Sequence, residues 1–405
     1  MNEPSRFSVD ARIVLILAGG CIVGLSMGIR HVQGLFQLPV VQAYGWPRET
    51  FGFALAIQNL LWGVAQPFAG MIADRWGSLR VIVGGALCYA GGLFLMSIAA
   101  TPATFVLSAG VLIGLGLAGT AFGTVYGAVS RLVPAERRGS ALGLAGAVGG
   151  FGMFVMVPTA QVMIDGIGWA GALVALGALM CVALALAAPL DDRQGMTVRH
   201  QALGDALREA FTHRGFWLLT LGFLACGFQL GFIASHMPAY LIDKGLTANH
   251  GVAALAIIAL TNTVGTWWWG AQGGRWRPKV LLAWLYVLRS LAIVAFVTLP
   301  LSPLTLYVFC AVMGWLWLGT APLTNGLVSR IFGLQYLSTL FGFVFLGHQI
   351  GGFLGVWLGA LVFDLTRSYD LIWFCSAAIG LAAAALHTPI DDTGIVRGPA
   401  LAAAR

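Results

Sequence analysis

Lysine is almost missing from this 405-residue chain: there are two, Lys244 and Lys279, preceded by Asp and Pro. A phosphate-binding loop needs Gly-Lys-Ser/Thr to set backbone N–H groups and an ammonium around phosphates, and no such run exists. ATP-driven transport by this chain alone is thereby excluded. Charge of either sign is scarce, at 9% of residues against about 25% in soluble domains. Cys21, Cys88, Cys181, Cys226, Cys310 and Cys375 lie singly in six different apolar runs with no CxxC spacing. That pattern leaves no thiolate metal site and no disulfide framework, only small buried hydrophobes. What is abundant is apolar surface, 59% of residues, and the chain reads as an integral membrane protein.

Apolar segments long enough to cross ~30 Å of hydrocarbon fall at 13–38, 51–73, 79–98, 104–129, 140–162, 168–188, 216–241, 250–271, 280–299, 303–329, 336–363 and 370–388. The expectation is an all-α protein of twelve transmembrane helices. The dozen polar residues before the first span carry no cleavage pattern, so the N-terminus is expected to be retained. Counting Arg and Lys loop by loop gives seventeen on the side of the N-terminus and three on the other, Arg48, Lys244 and Arg367. By the positive-inside rule both termini are cytoplasmic, and the net charge of +7 follows topology and not nucleic acid. An inner-membrane, multi-pass protein is expected. The longest polar interruption, 191–215, separates six spans (1–190) from six (216–405), and its Leu203, Ala206, Leu207, Ala210 and Phe211 fit one stripe of a surface-lying helix.

Two echoes recur at an offset of about 200 residues: "GMIADRWGSLRV" with "GAQGGRWRPKV", and "YGAVSRL" (126–132) with "NGLVSRI" (325–331). They indicate two homologous six-helix halves. In the first copy, Gly70, Asp74, Arg75, Gly77 and Arg80 resemble the Gly-x-x-x-Asp-Arg-x-Gly loop signature of the major facilitator superfamily. The resemblance implies a carrier in which these loop charges lock the halves together on the cytoplasmic side. The second copy has Gly274 in place of Asp74, which implies a weaker lock. "YGWPRETFGFALAIQNLLWGVAQPFAG" is further similar to the oxalate/formate antiporter and monocarboxylate transporter branch. That branch carries an arginine on span eight for the substrate carboxylate, whereas "LTNTVGTWWWG" (260–270) offers Asn262 and Thr266.

Gly-x-Ser-x-Gly (24–28) and Gly-x-Gly-x-x-Gly (114–119) also occur, but inside spans and not after strands, so neither is read as catalytic or nucleotide-binding. No cofactor or metal is called for, and the chain is read as a carrier and not an enzyme. Glycines at 119, 123 and 127, at 347, 351, 355 and 359, and through span five mark places where helices approach closely.

The informative residues are the polar ones within lipid. Arg30, Gln33 and Gln37 each fall within about 40° of Ser26 on one helix face. All fifteen acidic residues lie in loops, at termini or at span ends, so Arg30 has no carboxylate at its depth. An unpaired guanidinium suits an anion, a carboxylate in particular, although an arginine held by carbonyls and glutamines for structural reasons fits the same pattern. Arg289 lies on span nine, which the resemblance implies is peripheral, and so reads better as a structural anchor. Substrate-binding candidates are Arg30, Gln33, Tyr126, Gln229, Asn262, His348 and Gln349, with Trp317, Thr320 and Thr324 as weaker additions. With no buried acid, proton coupling falls to His31, His236 or His348. The expected substrate is a small organic anion, moved by proton symport or anion exchange in a monomer, and the rival is an exporter of apolar or cationic compounds. A cation substrate would want the intramembrane carboxylate that this chain lacks.

Overall fold

The computed structural model describes residues 9–46, 48–193 and 201–395, and the expectations on Arg6, Arg199, Arg397 and Arg405 lie outside them. The described residues are helical without a strand. In chain order the helices are α1 Val9–Val32, α2 Gln37–Tyr44, α3 Arg48–Trp76, α4 Ser78–Ser97, α5 Pro102–Phe105, α6 Ile113–Thr120, α7 Phe122–Leu132, α8 Ala135–Leu186, α9 Leu203–Thr212, α10 Arg214–Asp243, α11 Ala248–Gly273, α12 Pro278–Thr298, α13 Pro303–Trp315, α14 Thr320–Phe332, α15 Leu337–Thr366 and α16 Asp370–His387. Ten helical segments among them are long and apolar enough to cross a membrane. The outer faces of the long helices, α3 included, carry large apolar side chains such as Leu60, Phe68, Trp267, Phe353 and Leu365.

Three features depart from the expected spans. The 52-residue α8 holds the fifth and sixth apolar segments in one element, broken at Gly168 with φ 73° and ψ 166°. A φ in that region is open to glycine at no steric cost. The 29-residue α3 is long enough to cross but carries Gln58, Asn59 and Gln66 in its middle, and it is not among the ten. The segments at 104–129 and 303–329 are each interrupted, at extended Ala121 between α6 and α7 and at 316–319 between α13 and α14. Backbone groups freed at such breaks need partners in lipid. Ala118 O accepts from Gln66 Nε2 (3.0 Å) and Thr124 Oγ1 (3.1 Å), and Leu318 N donates to Asn262 Oδ1 (3.0 Å).

The main pairings are α1 on α8, α10 on α15, α8 on α11 and α3 on α15. Glycine permits the closest of them. The stripe on α15 lies along α10: a Cβ on Gly351 or Gly355 would fall 1.9 Å from Leu224 O or 2.2 Å from Phe228 O. The 119, 123, 127 series does not form one stripe. With the chain broken at Ala121, Gly119 faces α4, Gly123 faces Gln66 of α3 and Gly127 faces Ser338 of α15. Helix α9 forms where the surface helix was expected, and Gln201 just before it accepts through its carbonyl from Gln335 Nε2 (2.8 Å) and Tyr336 Oη (2.9 Å).

Candidate functional site

Arg30 lies in the last turn of α1, just before the backbone tightens into a 3-10 turn at Gln33–Phe36. Its Nη2 donates to Asn59 Oδ1 on α3, and its guanidinium carbon lies 5.1 Å from the centre of the Trp62 ring. Nε is buried and has no hydrogen-bond partner. Among the described residues Arg30 makes no ion pair. Asn59 faces α1 for a helical reason. Gln58 is spent anchoring α3 to Ala109 O (2.7 Å), and Asn59 lies about 100° around the helix from it; Gln66, two turns on and close to the face of Asn59, anchors to Ala118 O (3.0 Å).

Asn59 is also where α15 joins the cluster. Its backbone carbonyl accepts from Gln349 Nε2 (3.3 Å), and Gln349 Oε1 lies 3.1 Å from His348 Nδ1. Rings continue from there: Trp62 lies 4.8 Å from Phe345, Phe345 stacks on His348 at 5.4 Å and 7°, and His348 lies 4.8 Å from Phe223 of α10. Arg30, His348 and Gln349 are thus brought together. Asn59 and Trp62 were missed in the sequence, although "QNLLW" set two amides and an indole inside an apolar run.

The other candidates lie elsewhere. Gln33 is buried, and neither of its amide atoms has a partner. Tyr126 is buried with its hydroxyl against Gly146, beside Thr266. Gln229 donates to Ser376 O of α16 (3.0 Å), and Asn262 serves the α13–α14 break. His236 Nε2 lies 2.9 Å from Val356 O, a helix-to-helix bond, and His31 is exposed on α1. Arg289, fully buried, donates to Leu316 O (3.1 Å from Nε), Trp317 O and Cys226 Sγ (3.3 Å). It satisfies the end of α13 as an anchor would. Thr320, beside the same break, places Oγ1 3.3 Å from Cys226 Sγ.

A second constellation lies where α3 ends. Asp74 is buried and accepts from Ser338 N (3.1 Å), Thr339 N (2.7 Å) and Thr339 Oγ1 (2.7 Å), so its carboxylate caps the start of α15. A carboxylate at a helix N-terminus is held by unpaired N–H groups and the helix dipole. Gly70, one turn earlier, is a glycine because a Cβ there would fall 2.3 Å from Ser338 O. The basic partner is Arg131 of α7, paired to Asp74 Oδ1 (2.8 Å) and Asp192 Oδ2 (2.7 Å). Asp192 also accepts from Ser78 N and Oγ at the start of α4, beside Gly77 with its φ of 92°. Arg75 lies exposed over the Trp76 ring, and Arg80 is exposed close to Asp191, so of the three basic residues it is Arg131 that reaches Asp74. The Arg193 guanidinium holds the Asp191 carboxyl below its usual range.

Two hundred positions on, the arrangement recurs. Asp392 is buried beside Arg277, whose Nε donates to it at 3.0 Å, and lies 3.9 Å from both Lys279 and Arg330. Hydrogen bonding to Arg277 holds the Asp392 carboxyl below its usual range. Where Asp74 stood there is Gly274, packed on α8: a Cβ on Gly139 would fall 2.5 Å from Gly274 N. The two echoing motifs also touch, through Ser130 Oγ and Asn325 Oδ1 at 3.1 Å.

Comparison with known proteins fits this architecture. The sequence description of the Major Facilitator Superfamily matches residues 16–356. The uncharacterized MFS-type transporter YcxA of Bacillus subtilis is 25% identical over 94% of this chain and 95% of its own length. Human monocarboxylate transporter 11 is 27% identical over 92% and 82%, and the oxalate:formate antiporter of Oxalobacter formigenes is 23% identical over 86% and 84%. Among solved structures, the E. coli fucose:proton symporter FucP shares the fold with a TM-score of 0.71 at 14% identity, over 94% of this chain and 98% of that one. The chain belongs to the Major Facilitator Superfamily, and its relatives there include monocarboxylate transporters and an oxalate:formate antiporter.

Proposed function

We propose that this protein is a secondary active carrier of alternating access, moving a small organic anion of the mono- or dicarboxylate class across the inner membrane. The carrying observation is Arg30: a membrane-embedded guanidinium held by the neutral Asn59 side chain, with Nε unpartnered and no carboxylate paired to it among the described residues. A neutral acceptor positions the cation without neutralising it. The names of the relatives, carriers of monocarboxylates and of oxalate and formate, support the same substrate class. His348 is the histidine placed to couple protons, since it adjoins Gln349 and through it Asn59, while His236 is engaged by Val356 O.

On this reading the chain crosses twelve times. The 52 residues of α8 would be ~78 Å long at 1.5 Å per residue, more than twice the hydrocarbon thickness, so Gly168 marks the turn between two crossings. The polar α3 is the remaining one. Residues 1–190 and 216–405 form two homologous halves around the 191–215 connector, both termini are cytoplasmic, and a monomer suffices. Asp74, Gly70, Gly77 and Arg131 close the cytoplasmic side, with Arg75 and Arg80 at its exposed rim.

The test is Arg30→Gln and Arg30→Lys with carboxylate binding and melting temperature measured on the same preparations. Charge-assisted bonds contribute about 1.5 to 3 kcal/mol, so Gln should weaken binding roughly ten- to a hundredfold, with Lys between. A poorly folded Arg30→Gln protein with normal affinity per folded molecule would overturn the reading.

A further inference from the structure

The surroundings of Arg30 narrow the substrate class, and the inference rests on the reading of Arg30 as the anion's partner. A dicarboxylate held at both ends wants a second cation. The other arginine buried within the bundle at membrane depth, Arg289, is committed to Leu316 O, Trp317 O and Cys226. What adjoins Arg30 is instead a continuous set of aromatic rings. Trp62 lies under the guanidinium, Phe345 against Trp62, His348 parallel to Phe345, and Phe223 against His348. Phe341, 6.3 Å from both Phe223 and Phe345, closes the group. These rings come from α3, α10 and α15, so they belong to both sides of the α3–α15 contact.

The polar groups beside Arg30 are few, and apart from Gln33, buried on the same face of the chain with its amide unpartnered, they are already paired. Asn59 holds Arg30 and accepts from Gln349, and Gln349 reaches His348. A polyhydroxylated body would find little to bond. A flat apolar body finds ring faces and edges, each contact adding about 0.5–1.5 kcal/mol beyond simple burial. Arg30, Asn59, His348 and Gln349 are only half-buried, beside the buried rings. We infer that the Arg30 site takes a monocarboxylate whose body is a planar aromatic ring, of the benzoate or phenylacetate class, with the carboxylate on the free Nε edge of Arg30 and the ring among Trp62, Phe345 and His348.

The experiment titrates the full-length protein in detergent with benzoate, acetate and oxalate by calorimetry, in wild type and in Arg30→Gln, Trp62→Leu, Trp62→Phe and Phe345→Leu. Benzoate should bind at least about tenfold more tightly than acetate, and oxalate no more tightly than acetate. The benzoate-to-acetate ratio should fall roughly three- to tenfold in Trp62→Leu and recover in Trp62→Phe; Phe345→Leu repeats the test should Trp62→Leu not fold. Equal affinity for benzoate and acetate, or tighter oxalate, with binding still dependent on Arg30 overturns the aromatic class and leaves the anion site standing. Binding of these acids that is indifferent to Arg30→Gln, or no binding of any, removes the anion site itself and this inference with it.

Discussion

Asp192 and Asp392 stand 200 positions apart, and each receives an arginine from the end of an equivalent helix, Arg131 of α7 and Arg330 of α14. In the first cluster both partners are shielded, with side-chain exposures of 2% and 0%, and Asp74 extends it across to the start of α15. In the second, Arg277 and Arg330 are 54% and 50% exposed, and the position of Asp74 is Gly274 against Gly139. One frame therefore supports two kinds of contact. A carboxylate capping a helix is directional and its parts can be rehydrated when it opens, while glycine on glycine brings backbones close without specifying a partner. The α3–α15 seam has the character of a latch, and the α8–α11 seam that of a bearing.

The largest expected effect comes from cutting the latch. On the proposed function, in which Asp74 acts in the gate, Asp74→Asn should slow transport in proteoliposomes by tenfold or more while substrate affinity in detergent stays within a few fold, because its partners are Ser338, Thr339 and Arg131 and not the residues around Arg30. A parallel collapse of binding would remove the distinction between gate and site.

Next is the paired substitution of the two aspartates. Asp192→Asn leaves Arg131 buried with half its counter-charge, and breaking a buried pair costs about 3–5 kcal/mol. Asp392→Asn faces two half-exposed arginines besides the more shielded Lys279 and should cost less, about 1 kcal/mol. Equal losses in melting temperature would show that exposure is not what separates the clusters.

A smaller contrast uses equivalent glycines of the echoing motifs. A Cβ on Gly127 would fall 2.1 Å from Ser338 Oγ, whereas one on Gly326 meets nothing within 4 Å. Gly127→Ala should destabilise by about 1–3 kcal/mol through overpacking, and Gly326→Ala should be neutral or gain up to about 1 kcal/mol of helix propensity. Thermal unfolding of the two variants checks it.

The smallest effect is in acid. Because Asp392 is held below its ordinary value, its share of stability is present above the ordinary carboxylate pKa of about 3.9 and is lost as pH falls through the lowered value. Asp392→Asn should flatten the acid limb of a stability–pH curve relative to wild type; an unchanged limb would assign that limb to other carboxylates.

Much of this was legible in the sequence because lipid penalises polarity so heavily that each exception stands out. Arg30, His348 and Gln349 were visible on that ground alone, and Asp74 through the loop signature that holds it. Arg131 was not, since an arginine at a span end looks like any other marker of topology until Asp74 is found beside it. Asp192 and Asp392 were hidden the same way, although "PLDD" at 189–192 and "PIDD" at 389–392 repeat at the offset of the other echoes. The breaks at Ala121 and 316–319 escaped notice because hydropathy is blind to whether a backbone carbonyl finds a helical N–H or the side chain of Gln66 or Arg289. Gln229 and His236 stood out by depth, but the partners they meet, Ser376 O and Val356 O, did not, because periodicity does not say which neighbour a helix face will meet.

The neutrality of Asn59 has a further consequence. On the proposed function, with no acid paired to Arg30 among the described residues, an empty carrier would bear a charge that a carrier loaded with a monoanion and no proton would not. A unit charge crossing a potential of 100 mV exchanges about 2.3 kcal/mol with it. In anion movement without a proton, voltage would then act on the return of the empty site and spare the loaded one, so the membrane potential itself would set how quickly the carrier is reset, whereas a proton carried with the anion would remove that difference.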